Sequence, residues 1–133
     1  MFKRVLLIGS GSIANKHLFN LQLLNVDVII LISKEKEIKR FDYVKNVKFI
    51  YKIEDIKNYN IDFCLIANST HNHYTFIKRL IRLKINIYCE KPIGLDVIKL
   101  KNLRNRLIKN KIIYQTGYHL KEHYFYKFIK KKN

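Results

Sequence analysis

Six short apolar runs recur along the chain, each of strand length and several rich in β-branched side chains. They are too continuously apolar for strands with one face in water, so they predict buried strands of a parallel sheet. The runs lie at about residues 3–8, 26–32, 47–51, 62–67, 86–89 and 112–116.

Between these runs, apolar side chains recur every three or four residues, which places them on one face of a helix. Three such sets predict three helices, and Asp96 fits the N-cap position of the third. The weaker segments 35–41 and 53–58 predict short helices or turns. The helical sets are Ala14, Leu18 and Leu21; Tyr74, Ile77 and Ile81; and Leu100, Leu103 and Leu107.

Regular alternation of strands and helices determines the fold class. Right-handed crossovers between parallel strands give a doubly wound, mostly parallel six-stranded α/β sheet of the Rossmann type. With 133 residues, 48% of them hydrophobic, the chain has the size of a single domain. Ligands of such sheets bind beyond the carboxyl ends of the strands, so the site is expected there.

Length and composition also exclude some classes. None of the apolar runs approaches the ~20 residues of a membrane-spanning helix, and the amino terminus lacks a secretory signal, so we expect a cytoplasmic protein without a membrane partner. Cys64 and Cys89 each lie inside an apolar run and predict buried free thiols. The spacing of His71, His119 and His123 fits no metal site, and we predict none.

The net charge of +17 raises the possibility of nucleic-acid binding. However, lysines occur along nearly every segment together with abundant Ile, Asn, Tyr and Phe, which an A+T-rich coding sequence would produce without any partner. We therefore interpret the charge as compositional. A basic, non-enzymatic nucleic-acid-binding protein that keeps the fold remains the alternative.

The first strand runs into residues 9–14, whose sequence is G-S-G-S-I-A, and then into a helical pattern. Gly9 permits a tight turn, Gly11 lets the backbone approach a pyrophosphate, and Ala14 lets the helix pack close to the strand. The helix N-terminus offers free amides and a partial positive charge to phosphates. The motif predicts dinucleotide binding through Gly9, Gly11, Ser12 and Ile13.

The end of the second strand bears on the choice of cofactor. Domains that prefer NAD place an acidic residue there to bond the ribose hydroxyls, whereas this chain has Ser33 and Lys34. A hydroxyl and an ammonium group suit a 2′-phosphate, so these residues favour NADP over NAD. The same lysine equally fits a solvated loop.

Two later segments add to the glycine motif. The fourth strand leads into residues 66–73, I-A-N-S-T-H-N-H, and the fifth ends in Cys89 and then Glu90-Lys91-Pro92. With a His-Leu pair at residues 17–18 and Gly117-Tyr118 after the sixth strand, the order and spacing resemble the Gfo/Idh/MocA family of nicotinamide-dependent oxidoreductases. The family's T-P-x-x-x-H segment is matched here at Asn68, Ser69 and His73.

The resemblance implies a role for each matched position. Asn68, Ser69 and His73 would line the cofactor between its pyrophosphate and its nicotinamide. Lys91 would be the catalytic residue beside the nicotinamide, bonding the reacting oxygen of the substrate, and Glu90 would hold that lysine in place. An ammonium group there stabilises the negative charge that develops when hydride is transferred.

Three departures from the family pattern affect the site more than the fold. Asn68-Ser69 replaces Thr-Pro and loses a rigid turn. Lys84 stands where the family has a glycine before the fifth strand, which implies a lysine in a strained left-handed conformation. Lys121 replaces the arginine expected near the sixth strand.

The resemblance also implies a second, substrate-binding domain that supplies an acid/base group. We expect residues 1–121 to form the NAD(P)-binding domain and residues 122–133 to begin the connecting helix, with the second domain absent. A truncated oxidoreductase that binds dinucleotide but is inactive alone is the favoured interpretation; a subunit completed by another polypeptide or by self-association is the next. The substrate, if a second domain is supplied, would be a sugar, a sugar nucleotide or a polyol.

An exposed apolar patch is expected where the second domain would pack, and with it a homo-oligomer. The sixth strand and four residues of the last segment would form this patch. The four are Tyr124, Phe125, Phe128 and Ile129.

Overall fold

The computed structural model describes residues 3–44 and 47–118. Six strands of this part of the chain form one sheet in the order β3-β2-β1-β4-β5-β6, with every neighbouring pair parallel. The predicted α/β Rossmann class is therefore confirmed. The strands are β1 (Arg4–Ile8), β2 (Asp27–Leu31), β3 (Val47–Ile50), β4 (Phe63–Ile66), β5 (Asn86–Cys89) and β6 (Tyr114–Thr116).

Three α-helices and two short 3₁₀ helices connect the strands in the described residues. The helices are α1 (Ser12–Leu23), α2 (Thr70–Arg82) and α3 (Val97–Lys109), and the 3₁₀ segments are Glu35–Phe41 and Ile53–Asn58. Every strand and helix predicted from the apolar pattern is present. The last strand begins two residues later than predicted, because Ile112 still closes the end of α3 by donating its amide to the carbonyl of Leu107.

The sheet separates two hydrophobic cores. Val5 and Leu7 point from β1 to the side of α1, whereas Leu6 and Ile8 point to the side of α2 and α3. This alternation follows from the two-residue period of a strand, and burial on both sides explains why the strands are continuously apolar. The strand order leads outward from β1 in one direction and from β4 in the other. The connections that follow these two strands therefore diverge at the carboxyl edge of the sheet and leave a crevice between them.

The ends of the helices account for three unusual backbone angles. Asn25, Lys84 and Lys111 follow the three α-helices with φ of 53°, 55° and 55°. The left-handed conformation predicted for Lys84 is therefore confirmed. At the other end of a helix, the carboxylate of Asp96 accepts a hydrogen bond of 3.0 Å from the amide of Lys99, which confirms the predicted N-cap of α3.

Cys64 and Cys89 are buried and unpaired, as predicted. Burial raises the pKa of the Cys89 thiol to about 12 and raises that of Cys64 well above its ordinary value. Because the thiolate is the reactive form, neither side chain is a nucleophile in this fold.

None of the helices in residues 3–44 and 47–118 has the length and apolar character needed to cross a membrane. The predicted domain boundary at residue 121 lies outside the described residues, and so do the helix predicted over 122–133 and the four residues of that segment assigned to the apolar patch.

Candidate functional site

A cleft of about 660 Å³ opens at the carboxyl edge of the sheet, where the connections after β1 and β4 diverge. Seven of the eleven positions predicted to bind cofactor line it; Lys34, His73, Glu90 and Lys91 do not. The seven are Gly9, Gly11, Ser12, Ile13, Ser33, Asn68 and Ser69.

The two glycines at the end of β1 serve different purposes. Gly9 has a φ of +127°, and a Cβ built on it would stand 2.6 Å from the carbonyl oxygen of Ala67. It lets the loop after β1 cross the end of β4. A Cβ on Gly11, by contrast, would meet no atom within 4 Å, so this glycine leaves open space at the start of α1.

The start of α1 fits a phosphate group. Gly11 is the N-cap and supplies no side-chain cap, and the first turn carries no acidic residue. The first helical bond runs from the amide of Asn15 to the carbonyl of Gly11, at 3.0 Å. The preceding amides at the helix N-terminus therefore remain available for an anion in the space that Gly11 leaves open.

Glu37, in the 3₁₀ segment after β2, reaches back into the cleft and was not predicted as a site residue. Its carboxylate accepts hydrogen bonds from the hydroxyls of Ser10 and Ser33. Partial burial alone would raise the pKa of Glu37, but these hydrogen bonds outweigh it and lower the pKa below its ordinary value. The carboxylate is therefore ionised at neutral pH.

Arg40 follows Glu37 on the same wall of the cleft and was also missed. Its Nη1 donates to the carbonyl oxygen of Ser10 at 3.1 Å and lies 3.4 Å from the Ser10 hydroxyl. Among the described residues, no carboxylate lies within ion-pair distance of this guanidinium. Lys34, the cation predicted to bind a 2′-phosphate after β2, is exposed and is not among the residues that line the cleft.

Asn68 contributes the side chain that enters the cleft wall at the end of β4. Its Oδ1 is buried and has no hydrogen-bond partner in the part of the chain that the structure describes. Unpaired buried oxygens are uncommon, because leaving one unsatisfied costs about 1–3 kcal/mol. This atom fits a donor on a bound ligand.

His73 lies behind the cleft wall and is only 1% exposed. Its Nε2 is 2.9 Å from the carbonyl oxygen of Asn68, and its Nδ1 is 2.9 Å from that of Pro92. The structure thus places the His73 side chain behind the cleft wall and not among the residues that line the cleft.

Glu90 and Lys91 follow β5 on the far side of β4. The carboxylate of Glu90 is 2.7 Å from Nε2 of His17, a side chain of α1 that is 73 residues away along the chain. Its second oxygen accepts from the backbone amide of Lys91 at 3.3 Å. Glu90 thus contacts the backbone of Lys91 and not its ammonium group, which is exposed.

A glycine after β6 completes the packing around Glu90. A Cβ on Gly117 would stand 3.1 Å from both carboxylate oxygens of Glu90 and 2.6 Å from the hydroxyl of Tyr88. The family resemblance had matched His17 and Gly117 without a role, and their common partner is Glu90.

The described residues hold no group of three or more His, Cys, Asp or Glu side chains that could bind a metal ion.

Comparison with known proteins places these features in a family. Residues 3–118 match the model of the oxidoreductase family Gfo/Idh/MocA, described as an NAD-binding Rossmann fold. The chain is 27% identical over 119 residues to myo-inositol 2-dehydrogenase of Thermotoga maritima, a match that covers 86% of the chain and 36% of that enzyme. The chain therefore spans about a third of the length of this relative.

Solved structures show the same fold. A probable dehydrogenase from Thermotoga maritima superposes with a TM-score of 0.84 at 25% identity, covering 96% of this chain and 39% of its own. The WlbA dehydrogenase of Thermus thermophilus, solved with NAD and UDP-GlcNAcA, superposes with a TM-score of 0.82 at 22% identity, covering 98% of this chain and 46% of its own. Because the family model accounts for well over half of the residues, this chain belongs to the Gfo/Idh/MocA oxidoreductases and carries their NAD-binding Rossmann fold.

Proposed function

We propose that the chain binds one nicotinamide dinucleotide in the cleft beside β1 and is the cofactor-binding part of an oxidoreductase. The observation that carries the proposal is the open space at Gly11, at the uncapped start of α1. The pyrophosphate would lie there, against the amides of Ser12 and Ile13. The unpaired Oδ1 of Asn68 offers a further acceptor on the opposite wall.

The cofactor, when bound, supplies hydride transfer. We assign Lys91 the task of stabilising charge on the reacting oxygen of a substrate. Its ammonium group is exposed and has no carboxylate within ion-pair distance among the described residues, so it is available to a ligand. Glu90 fixes the backbone at this position through its contact with His17.

We further propose that NADP is preferred over NAD. The hydroxyl of Ser33 and the guanidinium of Arg40 line the end of the cleft where the adenosine ribose would bind, and the exposed Lys34 follows Ser33 in the chain. Of these, Arg40 is the strongest support, because it lacks a carboxylate partner in the described residues and suits the geometry of a phosphate. Glu37 opposes the preference, since its carboxylate would bond ribose hydroxyls and repel a 2′-phosphate.

Two relatives support a substrate class. One is a myo-inositol dehydrogenase, and another was solved with a sugar nucleotide. We infer a sugar, sugar nucleotide or polyol substrate. This chain matches 36% of the inositol dehydrogenase, and we infer that turnover needs further residues, from the same polypeptide or from a second one.

Titration of the purified chain with NADPH and with NADH, followed by nicotinamide fluorescence and calorimetry, tests the proposal. We expect saturable binding at one site per chain. Gly11→Val should abolish binding without unfolding the domain, since the added side chain enters the space assigned to phosphate. No binding of either cofactor at millimolar concentration would overturn the proposal, and salt-sensitive binding of duplex DNA in its place would support the nucleic-acid alternative.

A further inference from the structure

The ring of His73 bridges two loops of the site from behind. Asn68, whose carbonyl oxygen meets Nε2 of the ring, belongs to the loop after β4 and lines the cleft. Pro92, whose carbonyl oxygen meets Nδ1, directly follows Lys91 in the loop after β5. The ring is 1% exposed, so water does not compete for either contact.

The two partners of the ring have a chemical consequence. Carbonyl oxygens only accept hydrogen bonds, and a neutral imidazole has a single N–H. Neutral His73 can therefore bond Asn68 or Pro92 but leaves a nitrogen lone pair facing the other carbonyl at 2.9 Å. Only the doubly protonated ring donates to both.

We propose that His73 is a positioning residue for Lys91, and that it holds the loops after β4 and β5 together only when both ring nitrogens carry protons. The Asn68 loop forms one wall of the cleft, so protonation fixes the distance between that wall and the lysine. The two contacts of His73 with the carbonyl oxygens do not depend on the cofactor, whereas the role of Lys91 rests on the function proposed above.

The charged groups on the elements around the ring are exposed or have other partners. On α2, His71 is exposed, and Lys78 lies 5.3 Å from the ring centre of Tyr74. After β5, the carboxylate of Glu90 is bonded to His17 and the side chain of Lys91 is exposed.

The start of α3 adds no anion for the ring either, because Asp96 there is bonded to Lys99. No carboxylate among the described residues pairs with His73, and its place in the first turns of α2 opposes a positive charge. The link between the loops should therefore weaken when the ring loses its second proton, which a titration over about pH 5–8 would test.

NMR of the cofactor-free chain, uniformly labelled with ¹⁵N so that its five histidine rings and its backbone amides are both observed, tests this link directly. His73→Phe assigns the signals of the ring. We expect both nitrogens of His73 to be protonated at the acid end of the range, one proton to be lost as the pH rises, and the backbone amides of Ser69 and Ile93 to shift with the same midpoint. A ring that stays in one neutral tautomer throughout, or that titrates while both amides stay still, overturns the proposal.

Cofactor binding gives a second measurement. The affinity of the unmodified chain for NADPH should weaken by about two- to tenfold across that pH range, the effect of losing one hydrogen bond. His73→Phe should remove this pH dependence, and His71→Phe, two residues away and exposed, should keep it. A dependence that survives in His73→Phe contradicts the proposal. If no cofactor binds, the proposed function fails while the NMR result still decides the role of His73.

Discussion

Gly9 touches the end of the neighbouring strand so closely that a methyl group on its Cα would stand 2.6 Å from the carbonyl oxygen of Ala67. Its φ of +127° is also outside the range that other residues adopt readily. The contact joins the loops after β1 and β4, the two parallel neighbours whose diverging connections form the cleft. Within one motif, Gly9 is therefore required by the packing of the loop against Ala67, whereas Gly11 leaves space for a ligand.

Alanine at each glycine separates these demands. Gly9→Ala should destabilise the domain by roughly 1–3 kcal/mol or more, because backbone strain adds to the overlap with Ala67. Gly11→Ala should leave the urea midpoint nearly unchanged, since its Cβ meets nothing within 4 Å, but should weaken dinucleotide binding. Urea denaturation and cofactor titration check both. An unchanged midpoint in Gly9→Ala would show that the contact is not needed.

Replacing Lys84 with glycine should stabilise the protein. Lys84 ends α2 with a φ of 55°, which costs a residue with a side chain about 1–2 kcal/mol relative to the right-handed form. Glycine adopts it freely but loses more entropy on folding, so we expect a net gain of roughly 0.5–1 kcal/mol in the free energy of unfolding. Lys101→Gly, within α3, is the control and should lose about 1 kcal/mol. Thermal unfolding of both variants decides the sign.

Glu37 and Arg40 should shift cofactor preference in opposite directions. Glu37→Gln removes a charge that would repel a 2′-phosphate and keeps the side-chain length, so NADPH should gain affinity relative to NADH. Arg40→Ala should weaken NADPH by about tenfold or more and NADH much less, the expected effect of losing a charged hydrogen bond to phosphate. The ratio of the two dissociation constants is the measurement. An equal loss for both cofactors in Arg40→Ala would place the guanidinium away from the 2′ position.

The fold was predictable because its signals are local. Most of the buried strands are short apolar runs, and each helix repeats its apolar face, so the predicted strand bounds fell within two residues of the observed ones. Lys84 could be assigned a left-handed conformation because it stands where the resembled family has a glycine, just after the end of α2.

The partners of the site residues were not predictable in the same way. Glu37 lies four residues beyond Ser33, so a search for an acidic residue at the end of the second strand does not find it. It bonds Ser10, which is 27 residues away along the chain. His17 meets Glu90 only because β1, β4 and β5 are adjacent in the sheet. The family resemblance assigned His73 to the lining of the cofactor, but the inward face of α2 buries it. Such contacts depend on sheet order and helix rotation, which one sequence does not report.

Asp62, just before β4, makes part of the stability depend on pH. Its Oδ2 accepts from the backbone amides of Lys3 at 2.7 Å and Arg4 at 2.8 Å, which ties the start of β1 to its neighbour. Those hydrogen bonds, from Arg4 first and then Lys3, hold the pKa of Asp62 below its ordinary value. A lowered pKa in the folded state means that the carboxylate stabilises the fold above the unfolded value of about 3.9, and that this contribution is lost as the pH falls through the folded value.

Urea midpoints measured from about pH 6 down to about pH 2 should therefore decline, and Asp62→Asn should show a lower midpoint at pH 6 with a shallower decline. Asp42→Asn is the matched control, because Asp42 is exposed and its carboxylate has no hydrogen-bond partner within residues 3–44 and 47–118. This control should follow the unmodified chain at every pH. Parallel curves for Asp62→Asn and the unmodified chain would mean that the two amide contacts do not depend on the charge of Asp62, and that acid sensitivity arises elsewhere in the domain.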